Sequence, residues 1–302
     1  MRIVLAGASG FLGTHLRRAL AADGHELVRL VRRPPAHPDE YPWDPAAGSL
    51  DAAVLSGADV VVNLAGAGVE DKRWNDAYRR RLRDSRVGPT SILASTVAGL
   101  PADRRPRVLV NASAVGYYGH TGDATVDESS PAGGGFFAEL CQAWEGATDP
   151  ARDAGIRVVL LRTGLVLAAD GGLLRPFVLA TRLFAGGPLA GGRWWMPWIS
   201  MSDWIGALRF LIDHDDLAGP VNVVGPDPVR NKDFTRALGR TMHRPTPWPV
   251  PRVALRVLLG EFADEALASQ RAVPTALTRA GYAFDHVSVE EALRAALTPT
   301  AR

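Results

Sequence analysis

Short apolar runs recur along the chain at Ile3–Ala6, Leu27–Val31, Val60–Leu64, Val108–Asn111, Val158–Leu161 and Val221–Val224. Helical stretches lie between them, and the alternation predicts βαβ units and a parallel sheet covered on both faces. The predicted helices include Trp74–Arg86, Pro89–Ala98, Phe136–Ala154 and Ser202–Asp213, the last beginning at a serine N-cap. A further short strand is expected at Tyr41–Trp43. After Arg162 the pattern changes. Residues 168–198, rich in Gly, Pro and Trp, are expected to form a loop over a site rather than sheet. Beyond Gly225, Pro-punctuated helices predict a smaller lobe. The expected division is therefore 1–165, with 199–225 returning to it, and 166–302 as covering loop and C-terminal lobe.

The first run leads into Gly7-Ala-Ser-Gly10-Phe-Leu-Gly13, glycines spaced three apart. The next turns of chain are amphipathic: Leu12, Leu16, Ala19 and Leu20 share a face, Arg17, Arg18 and Asp23 lie off it, and Gly24 closes the helix. Strand, glycine turn and helix N-terminus together make a dinucleotide phosphate site. The turn needs backbone angles that glycine tolerates, the chain must approach the pyrophosphate closely, and free helix N–H groups face the anion. The fold class is then α/β, a doubly wound parallel sheet of Rossmann type with a mainly helical C-terminal lobe. An NAD-selective site ends its second strand in Asp or Glu, which accepts from the ribose 2′-hydroxyl. Here the strand ends Val31-Arg32-Arg33, and paired guanidinium groups suit a 2′-phosphate, so NADP(H) is the expected cofactor.

Composition narrows the partners. At 302 residues with 47% hydrophobic and 22% charged residues, the chain can bury a full core, and its net charge of +2 gives no argument for nucleic acid or an anionic membrane. No apolar run approaches a membrane span. Arg2 and the first apolar stretch mimic a signal peptide only until Gly7, Ser9, Gly10 and Gly13 interrupt it. A single cysteine, Cys141, excludes an internal disulfide framework and suits a reducing cytoplasm. The scattered histidines have no metal-site spacing, so no metal is expected. A small-molecule substrate and a monomer or homodimer complete the expectation.

Several motifs now stand together: Ala6-Gly-Ala-Ser-Gly-Phe-Leu-Gly13, Trp43-Asp-Pro45, Asn63-Leu-Ala-Gly66, Ser113-Ala-Val-Gly-Tyr-Tyr-Gly119, Leu161-Arg-Thr-Gly-Leu-Val-Leu167 and Pro197-Trp-Ile-Ser-Met-Ser-Asp203. Gln270-Arg-Ala-Val-Pro274 and Ala280-Gly-Tyr-Ala-Phe284 stand in the C-terminal lobe. With these the chain resembles, over nearly its whole length, the extended short-chain dehydrogenase/reductase superfamily. More closely it resembles the epimerase family protein branch, whose name is tied to nucleoside-diphosphate-sugar epimerases. The resemblance implies that Gly7, Ser9, Gly10, Phe11 and Leu12 contact the pyrophosphate and adjoining ribose. It puts Asp44 at the adenine, or else as a turn residue before Pro45. Leu64, Ala65 and Gly66 would line the dinucleotide, and Thr163, Gly164 and Leu165 would pass the nicotinamide. Asn63 reads equally as a residue that only pins backbone.

The substrate side departs from the superfamily. Its catalytic tyrosine and lysine sit four residues apart on one helix, so that the ammonium lowers the phenol's pKa. Lys72 and Lys232, the only lysines, are preceded at that distance by Gly68 and Pro228. Aligned on Glu145, the motif positions are Phe137 and Cys141. The arginine that holds the diphosphate in nucleotide-sugar epimerases is replaced by Met196, with Arg193 the nearest alternative, which argues against such a substrate. Ser113 is placed to hydrogen-bond either substrate or backbone. Tyr117 and Tyr118, beyond the same strand, are each a proton donor or a buried structural phenol, and a phenol used near neutrality needs a local cation. Cys141 reads as a buried small side chain rather than a nucleophile. Trp194, Trp195 and Trp198 either stack on a flat ring or pack the lobe. Arg83 and Arg86 form a solvated face, or one of them receives an anion. Two functions fit these residues: an oxidoreductase or epimerase-like enzyme on a small polar substrate, or an NADPH-binding sensor with little catalysis.

Overall fold

The computed structural model describes residues 1–260 and 262–298 and contains the seven expected strands in one sheet. They are β1 (Arg2–Ala6), β2 (Glu26–Val31), β3 (Glu40–Pro42), β4 (Val60–Asn63), β5 (Val108–Ala114), β6 (Arg157–Thr163) and β7 (Gly219–Val223). Their spatial order is β7-β6-β5-β4-β1-β2-β3, parallel throughout. The direction of winding reverses between β1 and β4, which opens a crevice at the carboxyl ends of those strands. Helices cover both faces, so the central strands are apolar at successive positions: Ile3, Val4, Leu5 and Ala6 are all fully buried. One face packs Leu5, Val62, Val110 and Leu161 against Leu16 and Trp204; the other packs Val4, Leu109 and Leu160 against Leu93 and Val97.

The helices that frame the crevice are α1 (Phe11–Ala22), α2 (Asp76–Gly99), α3 (Phe136–Gly146) and α4 (Met201–Asp213). Three of them differ from the sequence pattern. Pro89 does not divide α2, which runs as one helix from an Asn75 cap. The backbone bond lost at proline is outweighed by Thr90, Leu93, Ala94 and Val97 packed under the sheet. The stretch expected as Phe136–Ala154 instead breaks after Gly146 and restarts as Asp149–Asp153, with Pro150 in the first turn, where it lacks no bond. Ser200, not Ser202, caps α4, its hydroxyl accepting from the Asp203 N–H at 3.0 Å.

Residues 168–198 are not all loop. Leu174–Arg182 is helical and buries Leu174, Val178 and Thr181, one per turn, while Trp195–Met196 pairs antiparallel with Val229–Arg230. A third apolar cluster, including Trp198, Phe234, Leu238 and Leu293, holds this region to the C-terminal helices. Two parallel pairs tie it back to the sheet side, Leu165–Leu167 with Trp198–Ser200 and Thr125–Val126 with Arg271–Ala272. Among the described residues no helix is long and apolar enough to cross a membrane.

Candidate functional site

The glycine turn is built around close approach. Gly7 has φ +81°, and a Cβ there would lie 2.6 Å from the Leu64 carbonyl, so the β1 and β4 ends touch backbone to backbone. A Cβ on Gly13 would lie 2.1 Å from the Gly7 oxygen, which is what lets α1 start directly over the turn. Ser9 and Gly10, which caps α1, stay exposed at its N-terminus. Phe11 and Leu12 are partly buried, and Gly171 and Gly172 lie over the Phe11 ring, where a Cβ on Gly171 would come within 2.4 Å of it. Leu64, Ala65 and Gly66 follow β4, and the Leu64 carbonyl and Ala65 N lie against the Gly7 turn. Asn63 is fully buried and acts on backbone: its Oδ1 accepts from Ala65 N at 3.1 Å, while its amide donates to Thr90 and Asn111. Thr163, Gly164 and Leu165 leave β6 half-buried, with Gly164 tight against the Pro197 carbonyl.

The two arginines after β2 have different surroundings. Arg33 forks onto Glu40 at 2.8 and 2.6 Å, and Arg29 reaches the same carboxylate at 3.0 Å. The Arg33 bonds, with the Ala36 N–H and despite burial, hold the Glu40 carboxyl down at about 2. A carboxylate whose folded pKa is depressed contributes stability above its unfolded pKa of about 4.3 and loses it as pH falls through the folded value. Glu40→Gln is therefore expected to flatten the acid limb of the stability curve between about pH 4.5 and 2. A denaturant midpoint with unchanged pH dependence in that window would contradict the assignment. Arg32 is exposed and makes no ion pair among the described residues. Asp44 is exposed and caps its own turn, accepting from Ala46 and Ala47 N–H groups at 3.0 and 3.2 Å.

Beyond β5 and β6 lies a buried polar network. Ser113 and Arg162 are register partners on neighbouring strands, and both reach Glu145 of α3. Ser113 Oγ donates to Glu145 Oε1 at 2.6 Å, and Arg162 forks onto the carboxylate with two bonds of 2.9 Å. Arg162 Nη1 also donates to the Tyr118 hydroxyl at 3.1 Å, which in turn donates to Asn222 Oδ1 at 2.7 Å. Burial pushes the Tyr118 phenol up to about 12, against the opposing pull of Arg162 and Asn222. With 2% of its surface exposed, Tyr118 is a structural phenol in this arrangement. Tyr117 is different. It is only partly buried, its ring lies 3.4 Å from the Arg162 guanidinium carbon, and its hydroxyl has no hydrogen-bond partner among the described residues.

Arg162 is thus the local cation that the sequence left unnamed. Its signal was a charged residue at the end of an apolar strand, with a complementary carboxylate on a helix otherwise buried on that side. Burial pulls the Arg162 guanidinium down, but Glu145 and Tyr118 together hold it above its ordinary range.

α3 itself contains neither tyrosine nor lysine. Phe137 packs among Trp74, Phe136 and Phe262. Cys141 is 1% exposed with its Sγ 3.6 Å from the Ala114 carbonyl, and burial first, then Glu145, pushes its thiol up to about 12. Trp198 is buried with its N–H on Asp227 O, Trp194 donates to Leu189 O, and Trp195 lies between Arg230 and Arg271 at 4.6 and 4.5 Å. Met196 is buried, but Arg193, Arg230 and Arg252 line a cavity of about 570 Å³ nearby with His120, Asp123 and Trp194. Arg193, the nearest alternative to Met196, is thus the loop's cation at this cavity, with Arg230 and Arg252 reaching it from outside the loop. No group of three or more His, Cys, Asp or Glu among the described residues is arranged to hold a metal.

A parallel sheet with its glycine turn at the winding reversal defines a dinucleotide-binding α/β protein. The chain belongs to the NAD dependent epimerase/dehydratase family, whose signature matches residues 3–225, and residues 250–296 match a domain of unknown function, DUF1731. It is 48% identical to an epimerase family protein of Mycobacterium bovis over 297 residues, 98% of this chain and 97% of that one. Human epimerase family protein SDR39U1 (isoform 2), solved with NADPH, superposes with a TM-score of 0.90 at 30% identity, over 99% of this chain and all of that one. A structure named nucleoside-diphosphate sugar epimerase, from Corynebacterium glutamicum, matches with a TM-score of 0.80 at 36% identity, covering 97% of this chain and 57% of that one.

Proposed function

We propose that the chain binds NADP(H) along the carboxyl edge of the sheet and acts on a small polar substrate by hydride transfer, without the superfamily's Tyr–Lys pair. The observation that carries the reading is the exposed, unpaired Arg32 beyond β2, beside a glycine turn shaped for a pyrophosphate. That turn fits the cofactor: a Cβ at Gly7 or Gly13 would fill the cradle, and Ser9 and Gly10 leave the α1 N-terminus open. The SDR39U1 structure with NADPH supports the same choice. The dinucleotide supplies the hydride, and this chain supplies orientation and a route for the proton.

Tyr117 is the proposed proton donor and acceptor. Its hydroxyl is uncommitted, and Arg162 fixes the plane of its ring and sets positive charge against its face. Ser113 and Tyr118, committed to Glu145 and Asn222, position Arg162 rather than meet substrate. A screen for substrate-dependent change in NADPH absorbance comes first. With a substrate in hand, Tyr117→Phe is expected to lower kcat by about 10²-fold or more, the usual scale of a lost acid–base group. Full kcat in Tyr117→Phe would sink the assignment.

One observation favours a second reading, an NADPH-responsive protein with little catalysis: neither Phe137 nor Cys141 can transfer a proton at neutral pH. Bound cofactor in purified protein, together with no turnover across a broad carbonyl and alcohol panel, would support it.

A further inference from the structure

α3 lacks the lysine that the superfamily places on this helix, yet a cation stands beside that position. Of the two readings open for Arg83 and Arg86, a solvated face or the receipt of an anion, Arg86 of α2 does not fit the first. It is partly buried, donating from Nη2 to Ala67 O at 3.0 Å and from Nη1 to Leu82 O at 3.1 Å. Its guanidinium carbon lies 5.2 Å from the Trp144 ring and 3.3 Å from where a Gly66 Cβ would stand, so glycine at position 66 is what admits it. Burial pushes this guanidinium down, and Cys141 is the largest of the groups that act on it electrostatically in the other sense.

No carboxylate reaches ion-pair distance of Arg86 among the described residues; Glu70 and Asp71 act on it only through space. Exposed Arg33 and buried Arg162, at the same edge of the sheet, each have an acid, Glu40 and Glu145. A guanidinium offers five N–H donors in a planar fork suited to a carboxylate. Arg86 uses two in the bonds described. Gly66, three residues past β4, is exposed, and Cys141 hydrogen-bonds the last carbonyl of β5. The cation therefore sits between the ends of two adjacent strands, on the edge where such sheets bind ligands.

We propose that Arg86 receives an anionic oxygen group, a carboxylate or its like, at the carboxyl edge between β4 and β5. The group belongs to the substrate rather than to the dinucleotide, so the inference rests on the cofactor reading above. A substrate carrying a carboxylate close to its reacting carbon is the class that fits.

Calorimetry with oxalate as probe tests this, on the protein alone and loaded with NADPH. Loaded wild-type protein is expected to bind oxalate at one site, and Arg86→Gln to weaken it about tenfold or more, the scale of a lost charge-assisted bond. Arg86→Lys, which keeps charge without the fork, should fall between. NADPH affinity is expected to stay within about twofold in both variants. A large loss of NADPH affinity in Arg86→Gln would assign the anion to the cofactor and overturn the proposal. So would unchanged oxalate binding in Arg86→Gln, or none in wild type. Failure of wild type to bind NADPH sinks the cofactor reading instead, and the oxalate titration of unloaded protein then judges Arg86 separately. Should Arg86→Gln fail to fold, wild-type protein with ¹⁵N-labelled arginine decides. Oxalate is expected to move the Nε–Hε peak that is missing from Arg86→Lys, and an unmoved peak overturns the site.

Discussion

Glu145→Ala is expected to destabilise the protein by roughly 3–5 kcal/mol, the range for removing one partner of a buried ion pair. Arg162 is 3% exposed and Glu145 7%, so the guanidinium left behind cannot recover its hydration. The loss has a second part, because Ser113 and Tyr118 are anchored through the same pair. Thermal midpoint and urea titration would both read it. The control is the double variant Arg162→Met/Glu145→Leu, which removes both charges and keeps volume. It is expected to recover most of the stability while leaving the Tyr117 ring without its cation. A single-variant cost below about 1 kcal/mol would place the pair in the solvated class and end its role as a scaffold.

Arg32→Ala is expected to weaken NADPH binding by about 10- to 100-fold, the scale of one or two lost bonds to a charged group, and to leave NADH affinity nearly unchanged. Arg33→Ala should behave differently despite its adjacency. Arg33 is already forked onto Glu40, so its removal is expected to show first in acid stability and only weakly in cofactor choice. Titrating both reduced cofactors into both variants separates the residues. Equal losses of NADPH affinity in the two would mean that Arg33 leaves Glu40 when the phosphate arrives. No loss in Arg32→Ala would sink the NADPH preference as argued from this strand.

The sheet was legible because parallel strands covered on both faces must be apolar at successive positions, and runs such as Val60–Leu64 have few other uses. The glycine turn was legible from its spacing, since Gly10 and Gly13 meet Gly7 O within a few residues of chain, although the Leu64 carbonyl that crowds Gly7 comes from β4. Helix boundaries were less so. Pro89 reads locally as a break, and only the burial of Thr90 and Leu93 under the sheet shows why α2 continues. The site's charges were hardest to read. Arg162 and Glu145 lie 17 positions apart in the chain, and Arg86 meets Ala67 across 19. Each of these charges looks like surface until its surroundings are assembled. Asp44, by contrast, drew attention by motif, and its carboxylate caps a turn.

In most open α/β proteins chemistry is carried by loops, and a new activity can arise by exchanging one while the sheet stays as it was. Arg162 lies within β6, register-paired with Ser113 and sealed beneath Glu145, so the cation under Tyr117 is part of the core itself. An altered loop here inherits that charge unchanged, and an altered charge disturbs the packing of two strands and a helix. This ties the evolvability of the site to the folding of the sheet. Drift at the rim, among residues such as Arg193 and Arg230, is the cheap route to new ligands. A change of the proposed chemistry at Tyr117 would require compensating substitutions at Ser113, Glu145 and Arg162 together.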